Sequence, residues 1–290
     1  MIPLKDNNPT TRFPVVTVAL IAICSVVFIW QLNFPTNDRL DQFGFSSIDQ
    51  SSLEYGAIPY RITHPSTGDC AIGAVDTQTT PTAGVVCPGT ADYRAAVEFS
   101  RNNPEEDAGP FTIDQKAWWI TAFTSMFMHG GWLHIIGNML FLWVFGNNIE
   151  DRLGRVKFLL FYLLAGLIAV YTQSVIDTSS TAPTIGASGA IAGVLGAYAL
   201  LYPKARVLTL IFIIFFVTLV EIPALILLGL WFILQFIPAL GQVAVESGGD
   251  QGVAYFAHVG GFVFGLAVAG VILSISGRRG REEQPRLPVY

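Results

Sequence analysis

Charge is what this chain has least of: Asp, Glu, Lys and Arg make up 13% of its 290 residues, about half the share of an ordinary soluble domain. With 52% hydrophobic residues and a mean hydropathy of +0.53, that scarcity excludes a soluble globular class. No H-E-x-x-H occurs among the four histidines, and His129 and His134 do not reproduce the i, i+4 pair of that motif, so no metal and no cofactor is expected. A phosphate-binding loop is missing, and no basic aromatic stripe suits nucleic acid. Ala190 takes the last place of what would be G-x-S-x-G, which argues against the strand-turn-helix elbow of soluble hydrolases.

What is there is hydrocarbon-compatible length. Apolar stretches of about 20 residues, enough to cross roughly 30 Å of lipid, run over 14–32, 132–149, 156–176, 185–202, 220–240 and 253–275. An all-α membrane protein with six transmembrane helices is therefore expected. Residues 207–220 are also apolar but leave too short a gap before the next span, and read as a tilted or re-entrant lead-in. Broken helices in corresponding halves, the mark of many transporters, are not seen.

The net charge of −5 hides a sorting by side. Lys5 and Arg12, then Arg152, Arg155 and Lys157, then Lys204 and Arg206, then Arg278, Arg279, Arg281 and Arg286 fall on one side of the six spans. The opposite short loops, 177–184 and 241–252, hold no lysine or arginine. The positive-inside rule then places both termini in the cytoplasm. The expected organisation is a cytoplasmic tail (1–12), a first transmembrane helix (13–32), a long extracytoplasmic loop (33–117), a core (118–275) and a second cytoplasmic tail (276–290). The first stretch is too long for a signal peptide and has no small-residue cleavage site before Gln31-Leu32-Asn33-Phe34-Pro35. Cys70 and Cys87 lie in the long loop, where an oxidising compartment favours a disulfide over metal binding, while Cys24 reads as a small core residue.

Polar residues inside such helices need a reason. Ser188, in Gly186-Ala187-Ser188-Gly189, and His258, in Ala257-His258-Val259-Gly260-Gly261, each open a span that enters from the outer side, so the two share a depth. Gly189 and Gly193 on one helix, with Gly261 and Gly265 on the other, give both a small-xxx-small face for close packing. The pair reads as a nucleophile and its base. His134 and Asn138 are one turn apart on one helical face, at the outer half of the second span, where both can donate to a developing oxyanion beside the Ser188 amide. His129, beyond the Gly130-Gly131 break, reads as an anchor for the entering loop. Asp177, Glu246 and Asp250 are the acids nearest in the expected topology, and none falls within a helical turn of His258, so a two-residue dyad is expected.

These residues resemble the rhomboid family of intramembrane serine proteases. The likeness rests on His129, His134 and Asn138 as H-x4-H-x3-N, on Gly186-Ala187-Ser188-Gly189 as G-x-S-G, and on His258, Gly261 and Gly265 as H-x-x-G-x-x-x-G, and covers residues 118–275. It includes Glu150-Asp151-Arg152-Leu153-Gly154, read as a structural cytoplasmic turn. The resemblance implies a six-helix core, a Ser188 and His258 dyad, and an oxyanion site from His134, Asn138 and the Ser188 amide. It further implies single-span membrane-protein substrates, cut in or near the bilayer at helix-destabilised segments and entering past the span at 220–240. A catalytically silent rhomboid-like binding protein is the alternative, and silent relatives typically lack the serine or the histidine. A prokaryotic plasma membrane is the expected location.

Three departures stand out. Ile120-Thr121 replaces a Trp-Arg pair found in many members, and the 33–117 segment has no counterpart. Ala192 stands where an aromatic often stacks on the catalytic histidine, so another ring, such as Tyr198 or Phe262, is expected to orient His258.

Overall fold

The structure is a computed structural model that describes residues 2–77, 80–103, 109–213, 216–244 and 253–276. Arg278, Arg279, Arg281, Arg286, Glu246 and Asp250 lie outside the described residues. The chain opens with strand β1 (Ile2–Asp6) and helix α1 (Val15–Leu32). Three short helices follow, α2 (Asp38–Gln42), α3 (Ser47–Tyr55) and α4 (Pro59–Thr63), then the hairpin β2 (Ala71–Thr77) and β3 (Thr80–Val86), helix α5 (Ala91–Asn102) and the two-residue strand β4 (Phe111–Thr112). Beyond α6 (Trp118–Thr124) and a 3-10 turn at Ser125–Phe127 come the long helices α7 (Trp132–Leu153) and α8 (Arg155–Ile176) and the shorter α9 (Ser188–Leu201). Strands β5 (Arg206–Ile213) and β6 (Phe216–Pro223) lead into α10 (Ala224–Ala244) and α11 (Tyr255–Ser276).

Four of these helices, α1, α8, α10 and α11, are long and apolar enough to cross a membrane, and α9 is a shorter apolar helix. Helix α7 has the length, but His134, Asn138, Asn147 and Asn148 dilute its apolar character. The molecule is thus a mostly helical integral membrane protein. Leu133, Val156, Ile226 and Ile237 expose most of their surface, as helices bathed in hydrocarbon do.

The all-α expectation is corrected by two small sheets, ordered β1-β5-β6 and β3-β2-β4. Residues 207–220 are neither tilted nor re-entrant helix: β5 and β6 pair antiparallel from Arg206 opposite Pro223 to Ile213 opposite Phe216. Their Val, Ile, Thr and Phe content suits a strand surface better than a helix. The first residues form no free tail, because β1 pairs with β5, with Ile2 opposite Leu210. The helix expected over 220–240 accordingly starts at Ala224 rather than at 220.

Helix α9 sits at the centre because it is built from small residues, and Gly189 through Ala199 are buried. A methyl group on Gly261 would overlap the Gly189 carbonyl oxygen, and one on Gly265 would overlap the carbonyl of Gly193. A methyl on Gly193 would come within 2.6 Å of the Ala165 methyl on α8. Close backbone approach of this kind is how membrane helices gain dispersion energy without a hydrophobic drive between them.

Two polar devices hold the ends of the bundle. Glu150, at the end of α7, accepts from the Val16 amide at 2.9 Å and from the Thr17 amide and hydroxyl, both at 2.8 Å, satisfying donors that α1 leaves open at its start. Gly154 (φ 78°) then turns the chain directly from α7 into α8, a left-handed conformation that favours glycine. Toward the other end, Cys70 and Cys87 are joined by a disulfide at the base of the β2-β3 hairpin. Part of the 33–117 segment is laid along the chain entering α9: the Thr184 amide donates to the Ala57 carbonyl at 2.7 Å and the Tyr60 amide to the Ser180 carbonyl at 2.9 Å.

Candidate active site

Ser188 is the first residue of α9, so its N–H has no carbonyl one turn back within the helix to bond, and the helix dipole is positive there. Opposite it, the start of α11 is fixed by Gln173 of α8, whose side-chain oxygen accepts from the Phe256 amide at 3.1 Å and the Ala257 amide at 3.3 Å. With both helix starts set and glycines letting the backbones meet, His258 Nε2 stands 2.7 Å from Ser188 Oγ. The other ring nitrogen, Nδ1, is 2.8 Å from Gln235 Oε1 on α10. An amide oxygen only accepts, so Nδ1 carries the proton and Nε2 presents a lone pair to the serine hydroxyl.

The pair opens on a cavity of about 340 Å³ whose lining includes Ser125, Met126, His134, Gly186, Ser188 and His258. Gly186 has φ 126°, and a methyl group there would come within 2.8 Å of His134 Nε2 and 3.5 Å of Ser188 Oγ. Glycine at this point both permits the turn and admits the His134 ring. The Gly130 amide donates to His134 Nδ1 at 3.2 Å, which leaves Nε2 as the protonated nitrogen, facing Gly186 and the cavity. Asn138, one turn further along α7, is buried but does not line this cavity. His129 is fully buried; its amide donates to Gln31 Oε1 at 2.9 Å and its ring meets His134 edge-on at 5.2 Å.

The expectation that Tyr198 or Phe262 orients His258 is corrected. Tyr198 donates its hydroxyl to Asp6, at the far end of α9 from Ser188, and Phe262 packs on Phe232 and Trp231. The ring beside His258 is Trp231, with centroids 5.9 Å apart, arriving from α10 rather than from α9. Sequence reasoning missed Gln31, Gln173 and Gln235, although a glutamine within an apolar helix is itself a signal. Among the described residues no group of three or more His, Cys, Asp or Glu is placed to hold a metal ion.

A membrane-helical chain that brings a serine and a histidine together over a small cavity belongs, by class, with the intramembrane serine-histidine sites. The rhomboid domain model matches residues 116–275. The chain is 30% identical over 155 residues to Rhomboid protein 1, mitochondrial, of Saccharomyces cerevisiae, covering 51% of this chain and 40% of that protein. It is 38% identical over 84 residues to Presenilin-associated rhomboid-like protein A, mitochondrial, of Danio rerio, covering 28% and 22%. To Rhomboid protease GluP of Bacillus subtilis it is 41% identical over 85 residues, covering 29% and 16%. This chain belongs to the rhomboid family. The matched stretches span 40% or less of these relatives' own lengths. Two of the three are mitochondrial, so the likeness does not single out a prokaryotic plasma membrane.

Proposed function

We propose that this chain is an intramembrane serine endopeptidase that cuts single-span membrane proteins with Ser188 as nucleophile and His258 as general base. The carrying observation is the 2.7 Å contact between His258 Nε2 and Ser188 Oγ, with Nδ1 turned to the Gln235 side-chain oxygen at 2.8 Å. On attack, Ser188 Oγ bonds to the peptide carbonyl carbon and its proton passes to Nε2; the C–N bond then breaks and the same proton goes to the leaving amine. Water attacks the resulting ester, giving a proton to Nε2 that returns to Ser188 Oγ as the acid leaves. His134, through Nε2–H, the Ser188 amide and Asn138 are assigned to the oxyanion.

In this reading α1, α7, α8, α9, α10 and α11 are the six spans, both termini are cytoplasmic and residues 33–117 are extracytoplasmic. The short α9 fits this reading because its first residue, Ser188, lines the cavity, which the proposal sets below the membrane surface. A silent binding protein has no use for a preset serine and base. The test is cleavage of a single-span substrate in liposomes, with labelling of Ser188 by a serine-directed fluorophosphonate. Wild-type activity abolished in Ser188→Ala is expected; retained cleavage by purified Ser188→Ala protein defeats the assignment. Activity lost to a chelator and restored by zinc moves it to a metalloprotease.

A further inference from the structure

The serine and histidine come from α9 and α11, yet His258 makes its second hydrogen bond to a third helix. Gln235 Oε1 lies 2.8 Å from His258 Nδ1, and Trp231, one turn earlier on the same face of α10, sets its ring 5.9 Å from the imidazole. Gln235 is half-buried, in a helix whose neighbours Ile233, Leu234, Phe236 and Ile237 are exposed apolar residues. A polar side chain set among such residues has few acceptors or donors to choose from, and this one is bonded to the imidazole. We infer that Gln235 is a positioning residue for the reaction, holding His258 in the Nδ1–H tautomer so that Nε2 is free to take the serine proton. The inference rests on the protease reading above.

The chemistry explains why an amide suffices. A carboxylate in this place would stabilise the imidazolium more strongly, but it would bring a full charge into a low-dielectric site at a desolvation cost. A neutral amide oxygen selects the tautomer and fixes the ring plane without that cost. Three helices pack on α11 around His258: α9 contributes Ser188, α10 contributes Gln235 and Trp231, and α8 contributes Gln173 and Thr172 beside the start of α11, while His134 of α7 lines the same cavity. Among the described residues lining the cavity His134 is the titratable neighbour, so of these it is the group with which a new charge at position 235 would compete for His258.

The experiment uses the full chain in liposomes with a fluorogenic single-span substrate, comparing wild type, Ser188→Ala, Gln235→Leu and Gln235→Glu. Gln235→Leu keeps bulk but removes the acceptor, and is expected to lower kcat by roughly tenfold or more with KM little changed, because the imidazole is no longer held in one tautomer. Gln235→Glu restores the acceptor and adds charge. It is expected to recover turnover above the Leu variant and to move the acid limb of kcat/KM to higher pH by about one unit or more, the effect of a carboxylate beside an imidazole. Wild-type kcat in Gln235→Leu, or an unmoved acid limb in Gln235→Glu, overturns the inference while leaving Ser188-dependent cleavage intact. Losses in both variants that match their loss of folded protein also overturn it, since packing alone then accounts for them. Absence of Ser188-dependent cleavage in the wild type instead removes the protease reading and this inference together.

Discussion

Gly261 on α11 meets the carbonyl oxygen of Gly189 on α9 with no room for a β-carbon between them. Ser188 adjoins Gly189 in sequence and His258 lies about one helical turn before Gly261, so the helix separation set by the glycines also sets the reach from serine to imidazole. Gly261→Ala is expected to destabilise the protein by about 1–3 kcal/mol, the usual cost of overpacking. It is also expected to depress cleavage beyond the loss of folded protein, because the bond from Ser188 to His258 lengthens. Thermal unfolding in detergent with activity measured per folded molecule checks both. Unchanged specific activity in Gly261→Leu, a larger wedge, refutes the link between the glycine contact and the dyad.

The glycine spacing, the serine and the histidines were legible because membrane-grade sequence leaves few polar or small residues to explain. The helices α7 to α11 were likewise readable to within a few residues from apolar length alone, though of these only α8, α10 and α11 are long and apolar enough to cross a membrane. What was not legible was non-local. Strand pairing between Ile2 and Leu210 joins segments that no periodicity connects, and the apolar run at 207–220 carries the same hydropathy as a helix. Ala192 shows the same limit at the site: the chain places Trp231 of α10 beside His258, a partnership between helices that spacing along one helix does not encode.

His134 and Asn138 share a face of α7 but not a surroundings, since His134 lines the cavity and Asn138 is buried beside it. Removing one oxyanion donor typically slows turnover by about a hundredfold. His134→Ala is expected to show that loss with an unchanged unfolding midpoint, and Asn138→Ala is expected to follow it if its amide reaches the oxyanion. Activity in Asn138→Ala that merely tracks the folded fraction assigns that residue to helix packing.

The Cys70 to Cys87 bridge, spanning 17 positions, clamps the hairpin of the 33–117 segment. A loop of that size is expected to contribute about 3 kcal/mol to the segment's stability. Replacing both cysteines with serine should therefore raise proteolytic sensitivity within residues 33–117 before it affects the helical core. In sealed cells, a membrane-impermeant thiol reagent should modify these cysteines only after external reduction. Modification of both without reduction rules out the bridge, and modification after reduction only once cells are lysed reverses the proposed topology.

At the opposite end of α9 from Ser188, Asp6 of β1 accepts from the Tyr198 hydroxyl and, at 2.7 Å, from Asn148 Nδ2. Burial is the dominant influence on its carboxyl group and outweighs these two donors, pushing its pKa from 3.8 up to about 6. A carboxyl whose folded value is raised holds its proton more tightly in the folded state, so its stabilising contribution is complete below about pH 4 and is lost as pH rises through 6. Between those values stability should fall by up to about 1.4 kcal/mol per pH unit from this group alone. Asp6→Asn keeps a carbonyl acceptor and removes the titration, and is expected to flatten that part of the pH profile while raising stability at pH 7. Thermal unfolding of wild type and Asp6→Asn from pH 4 to pH 8 measures the difference. Parallel profiles for the two proteins show that Asp6 titrates as an ordinary carboxylate and that the strand is anchored by its hydrogen bonds regardless of charge.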